Sequence, residues 1–312
     1  MPLVKDRIQE RLSDVAVGLL TPFDDGGEIA YGKLRSNARS LYDKGPCTFL
    51  ATANISEFHS LSNEERITVT ETSVDALPSS ACVLAGVGGS TNTATELIQA
   101  YNRIGVDAMM IMPPDHTFIH EQGLLEYYRE LGAVSERPLV PYVRGFEPSV
   151  EYLVALTELD SVVGIKYALE DTVKLGAAVE DGSNDVVWMN GLAEPFALSS
   201  WAEGAEGFSA GVSNFRPEVG LALFDALTDG DWKRARRLRN ACLPYQWFRD
   251  ETSQDNTIPG GSSVPALKKG LEMAGLNGGT VREPIQPLTT SQERRAEKLY
   301  EELDANIDRL IG

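Results

Sequence analysis

The chain has 312 residues, 42% of them hydrophobic, and a formal net charge of −18 at pH 7. This acidic balance argues against a nucleic-acid partner, because phosphate contacts need clustered lysines and arginines. No run of 18 apolar residues is present, and the charged N-terminal segment lacks an apolar secretory stretch. Composition therefore predicts no membrane association and favours a cytoplasmic enzyme.

Lysine is scarce, with nine lysines against nineteen arginines. Abundant, evenly spread carboxylates and few lysines resemble proteins of a high-salt cytoplasm, where screening removes most self-repulsion. We favour a halophilic protein over an ordinary acidic bacterial enzyme. Cys47, Cys82 and Cys242 are widely spaced and form no CxxC motif, and only three histidines are present. Neither a disulfide framework nor a metal site is predicted.

Short apolar runs alternate with helical segments along the first two thirds of the chain. Such continuous apolar runs are typical of parallel strands that are covered on both faces. Eight strand–helix units without a ninth predict a (β/α)8 TIM barrel of the α/β class. The predicted strands are 15–20, 48–54, 82–87, 108–112, 139–143, 162–167, 186–190 and 207–213.

Helices are predicted between and after these strands. Ser62 and Glu65 have the spacing of a capping box before a helix that runs to Ala76, and residues 90–105 carry apolar side chains at helical spacing. The pattern changes after Asn214, where residues 216–227, 231–247, 264–274 and 291–310 are all predicted helices. We expect a barrel over residues 1–228 and a helical extension over 229–312, packed on the barrel.

Lys166 is the most informative residue, since it lies within an apolar run that is predicted to be a buried strand. Burial disfavours the ammonium form and lowers the pKa of a lysine. A neutral amine can attack a carbonyl group and form a Schiff base. The alternative is a strand-end lysine whose ammonium reaches solvent or pairs with Glu170 or Asp171.

The active site of such a barrel lies where the strands end at their carboxyl side. Tyr142 ends the strand that neighbours Lys166, and a phenol beside an amine can move the protons that imine chemistry requires. The alternative for Tyr142 is a buried tyrosine with a satisfied hydroxyl. Gly211, after the eighth strand, could let a substrate approach backbone amides or could simply serve the turn.

Six segments together resemble the dihydrodipicolinate synthase and N-acetylneuraminate lyase family of class I aldolases. The likeness spans nearly the whole chain and is specific only as a set. It includes a glycine–isoleucine–lysine motif that ends at Lys166 and a strand that ends at Tyr142. The segments are residues 18–23, 57–66, 86–88, 138–142, 164–166 and 204–214.

The resemblance implies that Lys166 forms an imine with the keto group of pyruvate or another 2-keto acid and that Tyr142 relays protons. It also implies that the backbone around Asn54 and Ile55 holds the carboxylate of the keto acid. The imine itself is the electron sink, so no metal or diffusible cofactor is expected. The family further implies a homotetramer or homodimer and a small-molecule 2-keto acid as the only ligand.

The sequence departs from the family pattern at three sites. Asn54 and Ile55 replace two hydroxyl residues, Asp115 and His116 replace a tyrosine, and Glu147 replaces an arginine. Backbone binding of a carboxylate survives the first change, but a hydroxyl relay does not. These departures argue against a dihydrodipicolinate synthase.

Two activities remain, an aldolase and a dehydratase of 2-keto-3-deoxy sugar acids. Residues 57–61 and the spacing of Tyr142 and Arg144 resemble the dehydratase branch. The halophilic composition, together with the place of aldolases of this family in archaeal sugar breakdown, favours the aldolase, which we expect. Arg144 could hold the far end of the substrate or form a salt bridge at the rim. His116 could be a second acid or base, a hydroxyl ligand or a solvated loop residue. A non-catalytic binder of keto acids is the remaining alternative.

Overall fold

The protein is described by a computed structural model over residues 2–114, 116–255 and 263–311. Within these residues, eight parallel strands close into a barrel, in which each strand pairs with the next and the eighth pairs with the first. This confirms the predicted (β/α)8 barrel. The strands are β1 (Val15–Gly18), β2 (Thr48–Leu50), β3 (Cys82–Val87), β4 (Ala108–Ile111), β5 (Leu139–Val143), β6 (Gly164–Tyr167), β7 (Val187–Asn190) and β8 (Gly207–Ser209).

Helices alternate with the strands and continue beyond them. In the described part of the chain they are α1 (Pro2–Leu12), α2 (Tyr31–Tyr42), α3 (Asn63–Ala76), α4 (Thr91–Ile104), α5 (Glu121–Val134), α6 (Val150–Thr157), α7 (Thr172–Asp181), α8 (Ala193–Ala202), α9 (Pro217–Thr228), α10 (Trp232–Asp255), α11 (Val264–Met273) and α12 (Thr290–Ile311). No helix of the described residues is long and apolar enough to cross a membrane.

Every strand residue is buried, because alternate side chains face two different apolar layers. In β5, Val140 and Tyr142 point into the barrel and pack with Met110 and Met189, whereas Val143 points outward into the layer of helices. Burial on both faces explains why the sequence shows continuous apolar runs rather than alternation.

Local sequence signals fix the helix ends. The Ser62 hydroxyl accepts a hydrogen bond from the Glu65 amide at 3.2 Å, and the Glu65 carboxylate accepts one from the Ser62 amide at 2.9 Å. This confirms the predicted capping box of α3. Helix α4 ends at Gly105, whose φ of 85° is a left-handed conformation that glycine adopts without strain.

β2 and β8 each end four residues earlier than predicted, β1 ends two residues earlier and β4 one, and α10 runs further than predicted. β2 ends at Leu50 and β8 at Ser209, because the chain then turns into short 3-10 segments, Asn54–Ser56 and Val212–Asn214. Strand propensity could not reveal these turns, which are fixed by contacts with distant residues. α10 continues to Asp255, beyond the predicted end at Trp247, and carries further side chains to the barrel mouth.

The helices after α9 pack against the barrel, with α10 in contact with α8, α9 and α12. Arg216, just before α9, forms ion pairs with Asp304 and Asp308 of α12, which fastens the end of the chain to the barrel. The predicted boundary at residue 228 coincides with the end of α9. The division into two domains stays a prediction.

Candidate active site

A cavity of about 450 Å³ opens at the carboxyl ends of the strands. Tyr142 from β5 and Lys166 from β6 lie in its wall, together with Asn54 and Arg144. A larger cavity of about 550 Å³ lies elsewhere, between the segment after β1 and the C-terminal helices, and Lys166 is not in its wall. We assign the candidate site to the first cavity because it contains the predicted nucleophile, Lys166, and the predicted proton carrier, Tyr142.

The pairing of β5 with β6 determines how the two predicted catalytic residues meet. Tyr142 and Lys166 are direct partners in this parallel pair, so both side chains leave the sheet on the same face, toward the inside of the barrel. The Lys166 Nζ lies 4.2 Å from the centroid of the Tyr142 ring. Tyr142 is only 2% exposed and Lys166 only 5%. The sequence-based pairing of an amine with a phenol is therefore present in the structure.

No ion pair among the described residues includes Lys166, and the alternative partner Asp171 pairs with Lys174 instead, at 3.7 Å. Burial lowers the pKa of Lys166, and the nearby Arg144 guanidinium lowers it further, whereas Tyr142 acts in the opposite direction. A larger fraction of the amine is therefore neutral at a given pH than for a solvated lysine. This is the state that attacks a carbonyl carbon.

Burial alone would raise the pKa of Tyr142, but the positive charges of Lys166 and Arg144 outweigh it and hold the pKa below its usual value. Arg144 Nη1 donates a hydrogen bond to the Tyr142 hydroxyl at 3.2 Å. The Asn54 side chain also lowers the pKa of Tyr142. A phenol tuned in this way can give up and regain a proton with less cost than a free tyrosine.

The turn Asn54–Ser56 forms one wall beside Lys166. The Ala53 amide donates to the Ser56 hydroxyl at 3.0 Å, which closes the turn. The first amides of a helical turn have no carbonyl partner within it, so those of Asn54 and Ile55 suit a carboxylate. Asn54 Oδ1 is buried and makes no hydrogen bond with the described residues. Ile55 packs over Gly18, where a side chain would clash with it.

The structure does not bring His116 or Gly211 to this cavity. His116 lies on an exposed loop, and its Nδ1 accepts a hydrogen bond from the Phe118 amide at 3.0 Å. Gly211 lies behind the cavity wall, where its amide donates to Glu194 at 3.0 Å. Its lack of a side chain makes room for Gln246, Glu194 and Arg249 rather than for a substrate. Asp115 lies outside the described residues.

Sequence reasoning missed a group of site residues that comes from the C-terminal extension. Gln246, Arg249 and Asp250 of α10 and Ser263 before α11 all lie in the cavity wall. Glu194, fully buried at the start of α8, accepts hydrogen bonds from the backbone of the β8 loop. Helical periodicity marks α10 but does not reveal that its second half reaches the barrel mouth.

A sequence profile described as the dihydrodipicolinate synthetase family matches residues 11–303. The chain belongs to the dihydrodipicolinate synthetase family. This confirms the family resemblance inferred from the six motifs.

Among described residues, no group of three or more His, Cys, Asp or Glu side chains is placed to hold a metal ion.

Several members of this family are similar over most of their length. A probable 5-dehydro-4-deoxyglucarate dehydratase of Streptomyces coelicolor is 29% identical over 86% of this chain and 85% of its own. A 4-hydroxy-tetrahydrodipicolinate synthase of Natronomonas pharaonis is 25% identical over 95% of this chain and 99% of its own. The crystal structure of a dihydrodipicolinate synthase from Oceanobacillus iheyensis superimposes with a TM-score of 0.90 at 29% identity, covering 96% of this chain and 99% of that one.

Proposed function

We propose that this member of the dihydrodipicolinate synthetase family is a Schiff-base lyase that dehydrates a 2-keto-3-deoxy sugar acid. The observation that carries the proposal is the buried Lys166 amine, 4.2 Å from the Tyr142 ring and without a carboxylate partner among the described residues. A carboxylate would hold the amine in its charged form, whereas this arrangement leaves it available as a nucleophile.

The reaction begins when the Lys166 amine adds to the keto carbon of the substrate. The carbinolamine loses water and becomes a protonated imine, which withdraws electrons from the neighbouring carbon. The Asn54 and Ile55 amides bind the substrate carboxylate and fix the keto carbon beside Nζ. Tyr142 supplies the proton that the departing oxygen of the carbinolamine needs.

The imine acidifies the hydrogens at C3. The Tyr142 phenolate, left by the first proton transfer, takes one C3 proton and an enamine forms. The enamine electrons then expel the hydroxyl group at C4 as that oxygen takes the proton from Tyr142. Water then hydrolyses the unsaturated imine and regenerates the free amine. The water released on imine formation balances the water used in hydrolysis, so the net change is one water lost across C3 and C4.

Sequence alone favoured an aldolase, in which the imine drives cleavage of the C3–C4 bond instead. The names of similar proteins support the dehydratase, whereas the hydrogen bond from Arg144 to the Tyr142 hydroxyl serves proton transfer in either reaction. Two similar proteins, one from Streptomyces coelicolor at 29% identity and one from Bacillus subtilis at 26%, are named as probable 5-dehydro-4-deoxyglucarate dehydratases.

The test incubates the protein with 2-keto-3-deoxygluconate, 2-keto-3-deoxyarabinonate and 5-keto-4-deoxyglucarate. We expect loss of substrate with a 2,5-dioxo acid as product and without pyruvate; from 2-keto-3-deoxyarabinonate this product is a semialdehyde. Stoichiometric release of pyruvate would show that the protein is an aldolase and would contradict the dehydratase. In parallel, borohydride reduction with pyruvate is expected to attach a pyruvyl group to Lys166, and intact protein mass without that adduct would contradict both activities.

A further inference from the structure

A second positive charge enters the cavity from outside the barrel proper. Arg249, near the end of α10, lies in the cavity wall with Arg144. Both residues also line an adjoining cavity of about 330 Å³, and Ser263 lies in the wall of both cavities. The two guanidinium groups therefore stand where the chamber around Lys166 opens into its neighbour.

Arg249 is held by hydrogen bonds rather than left to reach into solvent. Its Nη2 and Nε donate to the Ser263 hydroxyl at 2.8 and 3.2 Å, and its Nη1 donates to the Gln246 side chain. Gln246 in turn donates to Glu194, whose carboxylate accepts from the Gly211, Val212 and Ser213 amides. This chain of contacts fixes the guanidinium relative to β8, so little side-chain entropy remains to be lost on binding.

The two guanidinium groups repel each other, and two carboxylates share the cavity wall with them. Burial lowers the pKa of Arg249, and repulsion from Arg144 lowers it further, although Glu194, Asp250 and Tyr245 act in the opposite direction. Two guanidinium groups that repel each other in a desolvated cavity are stabilised by an anionic group bound between them. Glu170 and Asp250 also line the cavity, and burial followed by repulsion from Glu170 raises the pKa of Asp250, while Arg249 lowers it.

We propose that Arg249, with Arg144 and oriented by Ser263, binds a second anionic group at the end of the substrate farthest from the keto acid. The substrate class is then a 2-keto-3-deoxy sugar acid with two anionic ends, the second a terminal carboxylate or phosphate. This inference rests on the proposed function, because it takes Lys166 as the point to which the keto carbon is attached.

The experiment compares three six-carbon substrates that differ only at the terminal carbon. 2-Keto-3-deoxygluconate ends in a hydroxymethyl group, its 6-phosphate in a phosphate, and 5-keto-4-deoxyglucarate in a carboxylate. We expect kcat/KM to be about 10- to 100-fold higher for one of the two dianionic substrates than for the monoanionic one, the magnitude of a charge-assisted hydrogen bond. The dianionic substrate with the higher kcat/KM shows whether the subsite binds a carboxylate or a phosphate. Equal kcat/KM for all three would overturn the proposal.

Variants then assign the preference to Arg249. Arg249→Met is expected to lose the preference, mostly through a higher KM for the dianionic substrate, so that kcat/KM falls by a larger factor for that substrate than for 2-keto-3-deoxygluconate. Arg249→Lys should retain part of the preference, since a point charge remains. Ser263→Ala keeps the guanidinium and should weaken the preference in the same direction. Arg236→Met, an exposed position on the same helix, is the control.

A loss of kcat/KM by the same factor for mono- and dianionic substrates in Arg249→Met and Ser263→Ala would show a merely structural role and would contradict the subsite. Borohydride trapping of pyruvate, which lacks a far end, separates this failure from that of the proposed function. Trapping on Lys166 without any preference among the three substrates refutes only the anion subsite. Absence of trapping refutes the imine mechanism on which it rests.

Discussion

Two lysines are buried among the residues that the structure describes, and they differ in the group that lies beside the amine. Lys268, 2% exposed, lies 2.6 Å from the Glu57 carboxylate, donates to the Thr280 carbonyl and stands 4.6 Å from the Phe23 ring centroid. Lys166, 5% exposed, also lies beside an aromatic ring, that of Tyr142, but no carboxylate among the described residues pairs with it. Burial alone therefore does not mark a reactive lysine; the partner of its ammonium group does.

The physical reason lies in what each partner does to the charged form. Burial lowers the pKa of both lysines, but the Glu57 carboxylate opposes this for Lys268 by direct ion pairing and a hydrogen bond. A neutral phenol stabilises an ammonium ion far less than a carboxylate does. Lys268 joins the C-terminal helices to Glu57, just after the turn Asn54–Ser56, whereas no carboxylate among the described residues pairs with Lys166.

Replacing Lys166 should separate activity from stability most strongly. Lys166→Met is expected to reduce kcat by about 10⁴-fold or more, because the covalent step has no other nucleophile. The free energy of unfolding should stay equal or rise, since a methionine needs no buried charge. Turnover of the preferred keto acid and urea unfolding measure the two quantities. If the variant kept activity within 10-fold of the unmodified protein, a residue other than Lys166 would be the nucleophile.

Replacing Tyr142 tests whether the phenol is a proton carrier or only a neighbour of the amine. Tyr142→Phe is expected to lower kcat by about 10²- to 10⁴-fold, the range for loss of a general acid or base. The ring and its packing remain, so the urea midpoint should change little. Rapid-quench turnover gives kcat, and near-normal turnover in this variant would leave Tyr142 with a packing role only.

Replacing Lys268 should show the opposite pattern to Lys166. Lys268→Met leaves the buried Glu57 carboxylate without its cation, which is expected to cost about 3–5 kcal/mol of the free energy of unfolding. The double variant with Glu57→Gln should recover much of this loss. Urea unfolding is the measurement.

The neighbouring Lys269 provides the matched control. Its ion pair with Glu297 lies at the surface, so Lys269→Met is expected to cost no more than about 1 kcal/mol. Equal destabilisation of the Lys268→Met and Lys269→Met variants would contradict the distinction between a buried and a surface pair.

The smallest expected effect is a shift in pH dependence. Arg144 lowers the pKa of Lys166, so Arg144→Gln should raise it and move the rise in trapping rate to higher pH. The shift is toward higher pH because only the neutral amine reacts, and the neutral fraction grows as the pH rises through the pKa of Lys166. Borohydride trapping of pyruvate across a pH series measures the shift. Arg144→Lys keeps the charge and should stay closer to the unmodified protein.

The chain sequence was sufficient to predict the barrel and the pairing of Lys166 with Tyr142. Strands that are buried on both faces leave continuous apolar runs, and parallel strands bring their carboxyl ends to one face of the barrel. The same reasoning did not place His116 or Gly211, which the structure leaves on an exposed loop and behind the cavity wall. The halophilic origin, the cytoplasmic location and the homo-oligomer stay predictions.

The local and periodic features of the protein could therefore be predicted from its sequence: the strand order, the capped helices and the buried lysine in β6. The tertiary structure alone decided which charges meet. Glu57 and Lys268 are far apart in the chain, as are Glu194, Gln246 and Arg249, and no periodic signal relates them. Electrostatic interactions depend on distance and burial in the folded state. For that reason the fold had to be known before one buried lysine could be told from the other.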